Sequence, residues 1–313
     1  MTKNAVASRQ IAEKASYASD RRVLSILTDL KYLLKGFVLI ANVLPVLTGF
    51  WLALYFTNTS IADKWGLLLL TITGSLFVVG GALVLNNWYE VDLDKKMERT
   101  KNRPTVTGNF SLNMVLSIGI LFSIIGLILL FFTTTEAFVY GFIGWFTYVV
   151  LYTMWSKRKY TLNTVIGSIS GAVTPLIGWA AITHTYHYVP IVLALLLFIW
   201  QMPHTFAIAM RRCEEYRAAG VAMLPVVRGF EFTKRQIVIY VACLLPLPFF
   251  LMSLGTVFVV IATILNIGWI FLSIAGFFMK DDIKWARMNF LYSVNYIAIL
   301  FTLMMVVTFS IFS

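Results

Sequence analysis

Asn86, Glu90 and Asp94 stand four residues apart at the edge of a long apolar stretch, and Lys95, Lys96, Arg99, Lys101 and Arg103 follow at once. Each four-residue step along an α-helix turns only about 40°, so if the helix runs on through this block the three side chains project from one face. That face offers oxygen ligands. Mg²⁺ keeps several waters and takes one or two carboxylates together with substrate phosphate oxygens, which matches three oxygen-bearing side chains beside five cations. The residue types suit a divalent cation and a diphosphate. The other reading is a solvated loop that anchors two membrane spans, since charged loops are ordinary at the cytoplasmic face of membrane proteins.

A second polar block lies further on. Trp200-Gln201-Met202-Pro203-His204 closes an apolar stretch, and Arg211, Arg212, Glu214, Glu215, Tyr216 and Arg217 follow. The two blocks are related in register. Asp94 and Glu215 are 121 positions apart, and at the same offset Pro104-x-Val106-x-Gly108 lies over Pro225-x-Val227-x-Gly229. Two related halves, each with a polar loop after its second helix, imply one bipartite site between repeats.

The elements that must hold these residues are membrane helices. The chain is 59% hydrophobic and 12% charged, with apolar runs of the roughly 20 residues that cross a hydrocarbon core. Nine spans are expected, at about 34–56, 66–88, 112–132, 137–155, 163–182, 190–209, 237–254, 257–278 and 289–311. The fold expected is all-α, a polytopic bundle of about nine transmembrane helices in two pseudo-repeated halves. A transmembrane barrel is excluded, because its strands would alternate over roughly ten residues where these runs are continuous.

When alternate connections are assigned to opposite sides, 24 of the 25 Lys and Arg residues fall on one side and only Lys64 on the other. The positive-inside rule makes that side cytoplasmic. The amino terminus and both polar loops are then expected on the cytoplasmic side of the cell membrane and the carboxyl terminus outside. The net charge of +11 reflects this topology and not nucleic-acid binding. Residues 1–21 lack the apolar core of a cleavable signal, so the first span is expected to direct insertion. Val23, Ile26, Leu27, Leu30, Leu33 and Leu34 recur at helical spacing beside Arg22, Lys31 and Lys35. The expected division is therefore a cytoplasmic segment with an interfacial helix over 1–32 and a single transmembrane domain over 33–313.

Cys213 and Cys243, the two cysteines, have no metal-ligand spacing and read as unpaired structural residues. His204, one turn beyond Trp200 and after helix-bending Pro203, is either a site residue or a histidine bonded within the bundle. His184 and His187 fall in an outer loop, where they are metal or haem ligands or simply solvated. Asn163, Asn266, Asn289 and Asn295 read as interhelical packing residues, and Gly167, Ser168, Ser170, Gly171 and Ala172 as a close-packing stripe.

The run from Asn86 through Asp94 to Lys95-Lys96-Met97-Glu98-Arg99-Thr100-Lys101-Asn102-Arg103-Pro104 resembles the first signature of the protohaem IX farnesyltransferase branch of the UbiA-type intramembrane prenyltransferases. Gly171-Ala172-Val173-Thr174-Pro175-Leu176-Ile177-Gly178-Trp179, Trp200-Gln201-Met202-Pro203-His204, Tyr216-Arg217-Ala218-Ala219-Gly220 and Met223-Leu224-Pro225-Val226-Val227 are similar to later signatures of that branch. The resemblance covers all but about the first 30 residues. Asn-x-x-x-Asp-x-x-x-Asp is shared across the superfamily, whereas the Arg-Pro tail and Trp-Gln-x-Pro-His are particular to the haem branch. Glu90 and Glu215 stand where aspartate is usual, which lengthens the ligand arm, and Thr174 stands where proline is expected.

The resemblance implies a UbiA-like fold and Mg²⁺-dependent transfer of farnesyl from farnesyl diphosphate to a vinyl group of haem B, giving haem O and diphosphate. It assigns Asn86, Glu90, Asp94, Glu214 and Glu215 to the metal. Lys95, Arg99, Lys101, Arg103 and Arg212 go to the diphosphate, and His204, Trp200 and Tyr216 to the acceptor. Trp88, Tyr89 and Trp200 would wall the prenyl cation, and a haem A synthase would act downstream. A quinone prenyltransferase would need the same diphosphate site. A transporter fits the span count but would place its coupling residues near the midplane, where this chain is nearly free of charge.

Overall fold

A computed structural model describes residues 28–309, and every regular element among them is helical. Among the described residues, eight helices are long and apolar enough to cross a membrane. We label these α1 (Gly36–Phe56), α2 (Trp65–Tyr89), α3 (Leu112–Phe131), α4 (Thr135–Ser156), α7 (Tyr188–Arg211), α9 (Leu224–Leu254), α10 (Thr256–Ala275) and α11 (Asp282–Val307). The fifth expected span is a pair of shorter pieces, α5 (Asn163–Ala172) and α6 (Thr174–Ala180). Proline explains the joint. Pro175 has no N–H to donate, and the Thr174 hydroxyl donates to Gly171 O instead, at 2.7 Å. A short helix, α8 (Cys213–Ala219), follows α7. Residues 1–27 and 310–313, with most of the expected amino-terminal segment and the end of the last span, lie outside the described residues.

Capping sets several boundaries. Ser111 and Thr134 accept from Met114 N and Ala137 N at 3.2 and 3.0 Å and start α3 and α4. Asp281 accepts from Lys284 N at 2.9 Å, so α11 begins at Asp282, before the apolar stretch expected from 289. Likewise α9 opens with a short turn at Leu224 that breaks at Gly229 (φ 77, ψ 175), and the helix that follows still begins before the apolar run expected from 237.

The halves correspond along their length. Helices α1 to α4 are matched by α5/α6, α7, α9 and α10, while α11 stands outside the repeat. Thr135 and Thr256, the first residues of α4 and α10, keep the 121-residue offset. In both polar loops a Pro-led helical turn starts from an extended residue, Arg103 or Met223, and meets a left-handed glycine, Gly108 at φ 84 or Gly229 at φ 77.

Trp179, Trp269, Trp285, Tyr296, Phe258 and Phe301 are fully buried and fill the second half together with Trp51 and Leu52 of α1. Three of the asparagines read as packing residues bond across elements. Asn163 donates to Ala222 O, Asn266 to Leu244 O, and Asn289 Oδ1 accepts from Trp269 Nε1, at 3.1, 2.9 and 3.2 Å. Asn295 is the exception, donating to Leu291 O on its own helix. Helices α1 and α6 approach so closely that a Cβ on Gly178 would lie 1.9 Å from Val46 O.

Candidate active site

Helix α2 does not run uninterrupted through the first polar block. It ends at Tyr89, Glu90 leaves helical geometry at φ −98, ψ 16, and Val91–Asp94 forms one further turn. The bonds Glu90 N to Asn86 O and Asp94 N to Glu90 O, at 3.0 and 2.9 Å, still preserve the four-residue register. Asn86, Glu90 and Asp94 are all buried and line one cavity of about 180 Å³.

Each oxygen-bearing side chain there meets a cation. Lys35 Nζ donates to Asn86 Oδ1 at 2.6 Å, Lys157 Nζ to Glu90 Oε2 at 2.6 Å, and Arg103 Nη1 to Asp94 Oδ2 at 2.5 Å. The Asn86 amide in turn donates to Thr153 Oγ1 at 3.0 Å, which fixes its carbonyl oxygen toward Lys35. Arg99 completes the basic lining, so four cations face two carboxylates. Burial and the nearby Arg103 guanidinium push the Lys35 ammonium well below its ordinary pKa. Burial acts on Lys157 in the same direction, but the Glu90 carboxylate outweighs it and holds that ammonium protonated above the usual lysine range.

Lys35 and Lys157 reach the site by routes that the sequence reading did not weigh. Lys35 sits just before α1 in a left-handed conformation, φ 48 and ψ 52. Asn87 Nδ2 anchors the preceding segment by donating to Leu33 O at 2.6 Å, and Leu33 is fully buried. Lys157 follows a π-helical stretch, Thr147–Ser156, that ends α4. The i→i+5 winding brings residues four and five apart onto one face, so Tyr148, Tyr152 and Lys157 all line the cavity.

The second polar loop contributes Tyr216 and Val221 to the same lining. The loops are joined by an apolar cluster in which Leu93 and Met97 pack with Ala209, Ala219, Val221 and Met223. The acids of this loop do not line the cavity. Glu215 pairs with Arg212 at 2.5 Å, and exposed Glu214 pairs with Arg217 at 2.5 Å. Lys95 is exposed, and Lys101 forms a surface pair with Glu98.

Trp200 and His204 are also elsewhere, in the seam between α7 and α11. Their rings stack at 4.7 Å, Trp200 donates to Ser293 O, and His204 Nδ1 lies 2.8 Å from Ser293 Oγ. Trp88 packs with Leu33, Val84 and Val115, and Tyr89 bonds to Met154 O. The aromatic residues that line the cavity are Tyr148, Tyr152 and Tyr216. In the outer loop His184 meets Glu136 at 3.1 Å, and His187 caps α7. Cys213 and Cys243 are both free.

The donor set suits a hard divalent cation that shares its shell with substrate. Among the described residues no three His, Cys, Asp or Glu side chains gather as a metal cluster. Two carboxylates and an amide oxygen do converge, and Glu90 Oε1 is buried without a hydrogen-bond partner. Mg²⁺ uses few protein oxygens and fills the rest of its octahedron with water and phosphate, so this set fits it.

Beyond the polar cavity lies an apolar one of about 200 Å³, lined on α2 by Val78, Val79 and Ala82 and on α4 by Gly141, Gly144 and Trp145. Val38, Leu83 and Tyr148 line both, so the two adjoin.

The model of the UbiA prenyltransferase family matches residues 42–294. A protoheme IX farnesyltransferase of Oceanobacillus iheyensis is 53% identical over 97% of this chain and 97% of its own. One of Bacillus thuringiensis is 56% identical over 90% and 92%. Among solved structures, a UbiA homolog from Archaeoglobus fulgidus bound to DMAPP and Mg²⁺ superposes with a TM-score of 0.67 at 17% identity, covering 88% of this chain and 99% of that one. From the family match over most of its length and the shared helical architecture, the chain belongs to the UbiA prenyltransferase family and is a multi-pass membrane enzyme of prenyl transfer.

Proposed function

We propose that this enzyme transfers the farnesyl group of farnesyl diphosphate to a vinyl carbon of haem B, giving haem O and diphosphate. The observation that carries the reading is the convergence of Asn86, Glu90 and Asp94 with Lys35, Arg99, Arg103 and Lys157 on one cavity that adjoins an apolar one. The farnesyltransferase relatives supply the acceptor. Asn86, Glu90 and Asp94 would hold Mg²⁺, which supplies Lewis-acid neutralisation of the diphosphate.

The chain's own cations do the remaining electrostatic work. The bond between farnesyl C1 and oxygen breaks with its electron pair leaving on the diphosphate. Lys35, Arg99, Arg103 and Lys157 bind that growing charge by charge-assisted hydrogen bonds. Tyr148 lines both cavities and Tyr152 the polar one, so Tyr148 is placed to temper the allylic cation at the junction of head and tail. The haem vinyl π pair forms the new carbon–carbon bond, and water adds to the resulting cation and releases a proton. No side-chain nucleophile is needed. Haem O would then pass to a haem A synthase, and the site would face the cytoplasm.

Purified protein given farnesyl diphosphate, haem B and Mg²⁺ should release haem O, identified by mass, and a chelator should stop it. Asp94→Ala should insert normally and lose at least about 100-fold in turnover. Prenylation of 4-hydroxybenzoate in place of haem B would move the acceptor to the quinone branch. Normal turnover by Asp94→Ala would remove the metal site.

A further inference from the structure

We infer that Val78 and Ile177 form the floor of the prenyl site and set its length at three isoprene units. The inference rests on the diphosphate reading above, which fixes where the head of the substrate lies. From that head, depth can be counted along helices. On α2, Glu90 and Asn86 line the polar cavity, Leu83 lines both, and Ala82, Val79 and Val78 line only the apolar one. On α4 the order is the same in the other chain direction: Tyr152 is in the polar part, Tyr148 in both, then Trp145, Gly144 and Gly141 in the apolar part alone. Two antiparallel helices thus give one axis, with Val78 and Gly141 at its deep end.

The floor is closed. Val78 and Ile177 line the cavity and also belong to a buried cluster with Leu130, Ala137 and Ala180, which seals the space beneath them. Val78 is 4% exposed, Ile177 4% and Leu130 0%, so this end of the cavity is packed side chain on side chain. Val78 lies twelve residues before Glu90, about 18 Å at the rise of an α-helix. That distance holds a diphosphate head followed by an extended chain of three isoprene units. A two-unit chain would leave the floor uncovered, and a four-unit chain would have to fold back or displace it. Side-chain volume at Val78 and Ile177 therefore acts as a ruler.

The test is a competition of geranyl, farnesyl and geranylgeranyl diphosphates for haem B, with products separated by mass. The wild type should favour farnesyl. Val78→Phe, which raises the floor, should shift the ratio of kcat/KM toward geranyl by about tenfold or more, since each methylene accepted or refused by an apolar pocket is worth about that factor. Ile177→Ala, which lowers it, should raise use of the geranylgeranyl donor relative to farnesyl. Val78→Leu adds a single methylene and should give an intermediate shift if Val78→Phe does not fold. Folded variants with the wild-type ratios would overturn the ruler. A wild type that accepts none of the three donors would overturn the diphosphate reading itself, a distinguishable result.

Discussion

Lys35 shows how much a single side chain contributes to the charge of the site. Three of the four lining cations occupy protein oxygens at 2.5–2.6 Å, Lys35 on a neutral amide and the other two on carboxylates. An amide holds an ammonium less tightly than a carboxylate does, so Lys35 is the cation most readily released to an incoming diphosphate. Lys35→Met keeps the length of the side chain and removes the charge. The expected result is a rise of about tenfold in KM for farnesyl diphosphate, worth about 1.4 kcal/mol, with KM for haem B unchanged. Steady-state kinetics with each substrate varied in turn would check this, and an equal effect on both would point to a loss of fold. From the sequence, Lys35 is visible only as one of seven basic residues before the first span. Its place in the cavity depends on a left-handed backbone, φ 48, that a non-glycine residue seldom adopts and no local pattern announces. Asn86, Glu90 and Asp94 were legible because their spacing matches the helical turn, and the break at Glu90 leaves that spacing intact.

At the scale of elements, hydropathy was a good guide to where helices lie and a poor one to how they are interrupted. The expected 66–88 is Trp65–Tyr89, and 112–132 is Leu112–Phe131. The π-helical end of α4 left no trace in the pattern, because a run of apolar and aromatic residues satisfies either winding. Its consequence is large, since that winding brings Tyr148, Tyr152 and Lys157 to the site. The expected span over 163–182 runs straight through the joint between α5 and α6, which Pro175 makes, and hydropathy does not register the close approach there either. Gly178 of α6 lies against the Val46 carbonyl of α1, and a Cβ there would meet backbone that cannot rotate away. Gly178→Ala should therefore cost about 1–3 kcal/mol by overpacking. Thermal unfolding in detergent would register this as a lower Tm, and an unchanged Tm would mean that the two helices can separate without penalty. Gly178 also lies next to Ile177 in sequence, so its displacement would disturb the cavity floor.

For the whole molecule, the repeat explains both what the halves share and why the site is lopsided. The 121-residue offset that puts Glu215 on Asp94 puts Ala207 on Asn86 and Arg211 on Glu90. The second half thus keeps the loop but not the oxygen-bearing face, and it offers Tyr216 and Val221 where the first offers ligands. The single acid match between the halves, Glu215 on Asp94, therefore overstates the symmetry of the site, while the matching prolines and glycines track the backbone. The charge distribution follows the same architecture. Lys35, the block from Lys95 to Arg103, the run Lys157-Arg158-Lys159, the second loop and the residues from Lys280 to Arg287 occupy alternate connections, against Lys64 alone on the others. If that end faces the cytoplasm, the anionic substrate proposed above approaches from that side, and the positive-inside bias and the negative charge of that substrate call for the same residues. The sidedness can be measured in cells after Cys213→Ser and Cys243→Ser remove the native thiols. Asp63→Cys, exposed in the connection before α2, should react with an impermeant maleimide added outside. Asn102→Cys, exposed in the first polar loop, should react only after the membrane is opened. The reverse pattern would put the active site on the outer face and require its substrates to be supplied from there.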